Sequence, residues 1–280
     1  MAENVNEFLL SAADNDSLEG VEVALAAGAD IDFDQLENWR PGDDASLPPC
    51  TPLYVACHRG HINVVRLLLS KGASVVKRTM GGMVPLHEAA SNGKTEVVEI
   101  LVHHGATLDV RDSFRNTPLM AACGNNHVDT VQRLIEFGAR PDLTDGSIAR
   151  KLGIDDSAED SFELVPEVRN SAKESIKLVQ EARKTKLLRC CNPKCGKPGY
   201  RKTLKLCGRC KLTRYCSRDC QIQHWSVGHK KCCGRDKYID EEPHPMQKAM
   251  AYLVENDKQN DCHFCVSHVC SQSVSTATAT

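Results

Sequence analysis

Thr51-Pro52-Leu53-Tyr54, Val84-Pro85-Leu86-His87 and Thr117-Pro118-Leu119-Met120 recur at intervals of 33 residues. Gly72-Ala73, Gly105-Ala106 and Gly138-Ala139 keep the same interval. Between these markers lie small residues, Ala56-Cys57, Ala89-Ala90 and Ala121-Ala122-Cys123, and then Val64-Val65, Val97-Val98 and Val131, each followed by Leu or Ile. A fixed period of this length marks stacked supersecondary units that bury their apolar faces against each other.

Each marker has a physical reason. Proline suits the first turn of a helix, where its missing amide proton has no partner to lose. Alanine and cysteine keep the first helix of each unit thin enough for a neighbour to pack on it. The apolar run after the valines builds a second helix, and Gly72, Gly105 and Gly138 stand where a left-handed residue closes it. An earlier unit fits from Phe8 to Asp30, with Ala12-Ala13 and Gly28-Ala29 in register; Gly28 to Gly72 spans 44 residues, which places about 11 extra residues near 34–47, including Trp39. Ala149-Arg150-Lys151-Leu152 reads as a closing cap.

The pattern resembles the ankyrin repeat, two antiparallel helices and a hairpin per unit, with about four units in residues 1–153. The resemblance implies a concave protein-binding surface of first helices and hairpin tips. In that family a threonine before the proline and a histidine after the leucine pair locally, and no unit here keeps both, so each should be softer than a consensus repeat. His87 is read as a structural histidine, and Cys57 and Cys123, in the slot of Ala90, as buried small residues.

The net charge of -2 hides an asymmetry. From Lys186 to Lys237 there are 15 Lys and Arg against Asp219 and Asp236, a balance of +13; the rest has 20 basic and 35 acidic residues, -15, and the two sum to -2. Between the bodies, residues 154–189 read as an acidic linker, Ile154 to Glu163 forming a flexible joint, then a helix with Val168, Ala172, Ile176, Val179 and Ala182 at helical spacing, serving as a spacer.

Residues 190–233 hold nine cysteines in 44 positions, too short a segment to bury a useful core unaided. The start of the chain shows no secretory signal, and in a reducing compartment such clusters indicate metal rather than disulfides. Cys207-Gly208-Arg209-Cys210 can converge on one ion from a tight turn, and Cys216 and Cys220 would share one helical face. Eight ligands in four pairs imply two structural zinc ions, each worth on the order of 10 to 16 kcal/mol to so small a domain.

The run Tyr215-Cys216-Ser217, Cys220-Gln221, Trp225 and His229-Lys230 resembles the MYND finger. The resemblance implies interleaved sites, one of Cys190, Cys195, Cys216 and Cys220, with Cys191 as the alternative to Cys190, and one of Cys207, Cys210, His229 and Cys233, the last preferred over Cys232. His224, before the tryptophan, is expected on the surface rather than on metal. The family also docks short proline-containing peptides, which implies a groove at Gln221 and Trp225.

These readings give a mostly α protein, an ankyrin-repeat solenoid followed by a small zinc-stabilised MYND finger at 190–233 and a tail at 234–280 of one helix and disordered sequence. They point to a cytoplasmic or nuclear adaptor that binds proteins, with no catalytic residue. The basic finger leaves nucleic acid as an alternative partner, and an accessory role to an enzyme as a weaker one. In the tail, Cys262, Cys265, His268 and Cys270 leave a third metal group open. No apolar stretch approaches the roughly 20 residues of a membrane helix.

Overall fold

The computed structural model of the protein describes residues 4–34, 50–79, 81–154, 171–185 and 187–233. The insertion beyond Asp34, the joint at 155–163, Val168 and the tail with its cysteines lie outside the described residues. Four antiparallel helix pairs stack in chain order: α1 (Val5–Asp14) with α2 (Leu18–Ala26), α3 (Pro52–Arg59) with α4 (Ile62–Lys71), α5 (Pro85–Ser91) with α6 (Thr95–His103), and α7 (Pro118–Gly124) with α8 (Val128–Phe137). α9 (Ser147–Leu152) and α10 (Lys173–Thr185) follow.

The starts of the first helices show how missing partners are replaced. Thr51 Oγ1 accepts from the Tyr54 amide at 3.2 Å and Thr117 Oγ1 from the Met120 amide at 3.3 Å. Val84 has no hydroxyl, and there His87 Nδ1 accepts the Val84 N–H at 3.3 Å while its Nε2 donates to the Asn116 carbonyl of the next repeat at 3.1 Å. Each end is therefore satisfied by whichever partner its sequence retains. The second helices close on left-handed glycines, Gly28, Gly72, Gly105 and Gly138, with φ of +90°, +102°, +90° and +103°.

One apolar cluster runs through all four pairs. Leu9, Leu53, Leu86 and Leu119 occupy one register position and are fully buried, so truncating any one to alanine costs about 2 to 5 kcal/mol. Cys57 and Cys123 are buried too, and burial pushes their thiols up, Cys123 to about 12.

The first helices of the repeats depart from expectation. Every residue of Pro52–His58, Pro85–Ala90 and Pro118–Cys123 is buried, so these helices expose little for a partner. Part of the reason is a buried polar network that spans two repeats. Glu88 accepts from the Tyr54 hydroxyl at 2.5 Å and from Asn92 Nδ2 at 2.9 Å, and its other contact is His58 Nδ1 at 2.6 Å. Burial raises the Glu88 carboxyl, but these partners outweigh it and hold the group below its usual range.

The helix read as a spacer is a packing element. α10 lies against α7 and α8, burying Ile176 and Val179. The Ser175 amide donates to Asn126 Oδ1 at 3.2 Å, and the Arg183 guanidinium donates to the Ile154 carbonyl. The apolar spacing legible in the sequence thus faces the last repeat.

Burial lowers the His87 imidazole to about 4, its bond to Asn116 opposing the shift only in part. A histidine held below its unfolded value near 6.5 favours folding fully above that value, and the contribution is lost as pH falls through about 4. Between pH 6.5 and 4 the protein should lose about 1 to 3 kcal/mol relative to a His87→Gln variant, read as the difference between two denaturant-melt series. Asp109 and Asp112, which burial raises to about 6, work in the opposite sense and cancel in this comparison.

Candidate metal centre

The finger is made of two short hairpins and a helical segment. β1 (Leu187–Arg189) pairs antiparallel with β2 (Pro198–Tyr200), and β3 (Lys205–Leu206) with β4 (Arg214–Tyr215). α11 (Arg218–His224), a wide turn at Trp225–His229 and α12 (Lys230–Cys232) complete it.

Each hairpin loop offers two sulfurs. In the first, the Cys190 amide donates to the Lys197 carbonyl at 3.0 Å and the Cys195 amide to the Asn192 carbonyl at 2.8 Å, folding the loop around both side chains. In the second, the Cys207 amide donates to Thr213 at 2.9 Å and the Lys211 amide back to Cys207 at 3.1 Å. Ser217 caps α11, its hydroxyl accepting from the Cys220 amide at 3.2 Å, which fixes Cys220 one turn beyond Cys216. The Cys233 amide donates to the His229 carbonyl at 2.7 Å, closing the last pair.

The ligand atoms of Cys190, Cys195, Cys216 and Cys220 all lie within 4.8 Å of one another, as do those of Cys207, Cys210, His229 and Cys233. Sulfur separations are 3.7 Å for Cys195–Cys216, 3.5 Å for Cys216–Cys220 and 3.6 Å for Cys207–Cys233, and Cys210 Sγ is 3.6 Å from His229 Nε2. A zinc–sulfur bond of about 2.3 Å gives a tetrahedron edge of about 3.8 Å, so the donor sets fit zinc in type, number and spacing. The chain's elements interleave, each group taking one pair from a hairpin loop and one from the strand and helices that follow.

Local donors favour thiolate at Cys210 and Cys220, whereas burial pushes the Cys190, Cys216 and Cys233 thiols up. At Cys210 burial works to raise the thiol, but the Thr213 amide and hydroxyl and the Leu212 amide turn the net shift downward; the Leu212 amide and Thr213 Oγ1 each stand 3.5 Å from the sulfur. Cys220 is lowered to about 7, the Ser217 hydroxyl, Cys216 and Asn192 outweighing burial. The buried Asn192 also takes up Gln223, its Nδ2 donating at 2.9 Å, and so braces the first loop against α11.

Neighbouring residues are sorted by the same geometry. Cys191 lies outside both groups, its sulfur accepting the Arg214 amide at 3.3 Å. Cys232 is buried and also outside them. His224, expected on the surface, is only 2% exposed: the Tyr215 hydroxyl lies 3.0 Å from its Nδ1, and its ring stacks on His229 at 5.1 Å. Helix α11 turns that position inward, because the fourth residue after Cys220 shares its face. Gln221 and Trp225 are half-buried, Trp225 packing edge-on to His229 at 5.9 Å.

The two groups differ in exposure. Cys207, Cys210, His229 and Cys233 are all buried, whereas Cys195 is exposed and Cys216 and Cys220 are half-buried. One group is sealed, and the other opens to solvent.

The repeat stack packs against the finger beside this group, the two sharing one compact unit and one apolar cluster. A Cβ on Gly228 would lie 2.0 Å from the His104 carbonyl oxygen, and one on Gly105 would lie 2.3 Å from the Gly228 carbonyl carbon. A Cβ on Gly138 would come within 2.9 Å of the Arg189 carbonyl oxygen. Two helix-closing glycines of the repeats are therefore also docking points for the finger. Nothing in the sequence marks this second role, because the first already accounts for each glycine. Arg201 and Asp142 meet across the seam at 4.0 Å, and Arg214 is buried there, its Nε without a hydrogen-bond partner among the described residues.

A solenoid of paired helices carrying a finger with two complete four-ligand groups defines a class of interaction protein. Family models place it further. The model for ankyrin repeats in three copies matches residues 8–112, a single ankyrin repeat matches 114–146, and the MYND finger matches 190–233. The chain is thus an ankyrin-repeat and MYND-finger protein, and the finger is a zinc-binding module. Shorter similarity reaches ubiquitin carboxyl-terminal hydrolases 17 and 19 of Arabidopsis thaliana, 44% identical over 45 residues and 45% over 49, covering 16% and 18% of this chain and 6% and 7% of theirs. Ubiquitin C-terminal hydrolase 15 of Oryza sativa subsp. japonica is 63% identical over 27 residues, 10% of this chain and 3% of that one. The chain spans less than a tenth of the length of these relatives.

Gly228→Ala should force the seam apart while sparing all eight donors. The variant is expected to keep its zinc content but to exchange the α6 and α8 backbone amides faster, as followed by hydrogen–deuterium exchange.

Proposed function

We propose that the chain is a non-enzymatic adaptor whose MYND finger carries two structural zinc ions, one on Cys190, Cys195, Cys216 and Cys220 and one on Cys207, Cys210, His229 and Cys233. The observation that carries this reading is that both donor sets are complete. A catalytic zinc keeps a position open for water or substrate, and four protein donors leave none. Zinc, when bound, supplies the cross-link that a 44-residue finger lacks in apolar core.

In this proposal the domain boundaries are 1–153 for the repeats, 154–189 for the connection and 190–233 for the finger. The peptide contact is Gln221 with Trp225, where a half-exposed ring beside an amide suits an extended proline-containing segment. The Trp225 ring also supports His229, so the same residue links the groove to the sealed metal group. Among the described residues no helix is long and apolar enough to cross a membrane, and a protein partner in cytoplasm or nucleus is the proposed setting. The excess of basic residues in the finger keeps nucleic acid as the second reading.

Elemental analysis of the purified chain should give close to two zinc per molecule. Chelator challenge should then release the metal in two phases, the faster from the group that includes exposed Cys195; Cys195→Ser should remove the fast phase and Cys207→Ser the slow one. On a peptide array probed with the full chain, Trp225→Ala should abolish capture of proline-containing peptides. Salt-sensitive binding to mixed RNA with no peptide capture would replace this reading with the nucleic-acid one.

A further inference from the structure

Repeat positions that are closed later in the stack are open in the first unit. Phe8 shares its register with Pro52, Pro85 and Pro118, all buried, yet is 37% exposed. Val23, 54% exposed, shares its register with half-buried Leu67 and Arg133 and with Ile100, which is 5% exposed. Val5, one helical turn before Phe8, is 37% exposed, and Leu18 at the start of α2 is 41% exposed. Among the described residues these four are the large exposed apolar side chains of the repeats, the others lying in the finger. Among the described residues α1 and α2 have a neighbouring helix pair on one side only, α3 and α4.

Charge around this end has one sign. The first 39 residues contain ten Asp and Glu and no Lys or Arg before Arg40. Those facing the second repeat are engaged: Asp14 pairs with Arg59 at 2.7 Å, Asp34 with Lys77 at 2.9 Å, and Asp32 accepts the Ser74 amide at 2.8 Å. Glu7, Glu19 and Glu22, on the same two helices as the apolar residues, are exposed and have no ion pair among the described residues. Such a rim repels phosphate, which sets aside nucleic acid and anionic membrane as occupants, and a second copy of this surface would bring like charges together.

We propose that α1 and α2 form a docking surface for a cationic amphipathic helix of another protein, its apolar side on Phe8, Val5, Leu18 and Val23 and its Lys or Arg on Glu7, Glu19 and Glu22. The helix would extend the stack much as a preceding repeat does, and its charge would speed encounter and set orientation. This surface is separate from the finger and does not depend on the Gln221–Trp225 groove.

The probe is a synthetic 18-residue helix of leucine and lysine at amphipathic spacing, titrated onto the full chain by fluorescence anisotropy beside the same peptide with glutamate for lysine. The lysine peptide should bind, and its affinity should fall about tenfold from 50 to 500 mM salt and again about tenfold in Phe8→Ser. Glu19→Lys combined with Glu22→Lys, surface changes that leave the packed side chains untouched, should weaken it to the same degree, while Trp225→Ala should not change it. Equal binding of the glutamate peptide, binding unchanged in both repeat variants, or loss of binding only in Trp225→Ala would each overturn the proposal. Sedimentation of the unliganded chain as a dimer that Phe8→Ser dissociates would overturn it in favour of self-association.

Discussion

The finger and the repeats meet backbone to backbone. At Gly228 the approach to the His104 carbonyl leaves no room for a single carbon atom, and at Gly105 the same is true from the other side. Gly228 has a φ of 176°, extended backbone open to any residue, so its requirement is purely steric. The contact falls one residue before His229, which belongs to the sealed donor group. Order at the end of α6 therefore rests on the backbone beside that group, through the chain itself rather than through a flexible side chain.

The stack reaches its own order by repeated small substitutions of one partner for another. A threonine hydroxyl caps α3 and α7, an imidazole does so at α5, and the buried Glu88 gathers Tyr54, His58 and Asn92 from two repeats. These devices satisfy buried polar groups without enlarging the thin first helices. Among the described residues the large exposed apolar side chains then lie in the first unit and in the finger.

The features that were legible in the sequence are the periodic and the chemically restricted ones. A 33-residue register survives because each Leu, Ala and Gly meets the same neighbour in every unit, and thiol pairs are legible because few other residues bind zinc. Cys190 and Cys191 could not be told apart by spacing. Their difference arises from the loop, which turns the Cys190 side chain toward Cys195 and gives the Cys191 sulfur to the Arg214 amide. The seam at Gly105 and Gly228 and the docking of α10 are contacts between segments far apart in sequence, and no local pattern encodes them.

The closing turn of the finger has a mechanical consequence. His229 and Cys233 both belong to the sealed group and are joined by one helical hydrogen bond of 2.7 Å. Tension applied at Cys233 would load this turn directly. A metal held by four donors resists such a pull far better than a frayed helix end does, so the ion would serve as an anchor bolt that keeps a tug on the C-terminal side from unzipping the seam.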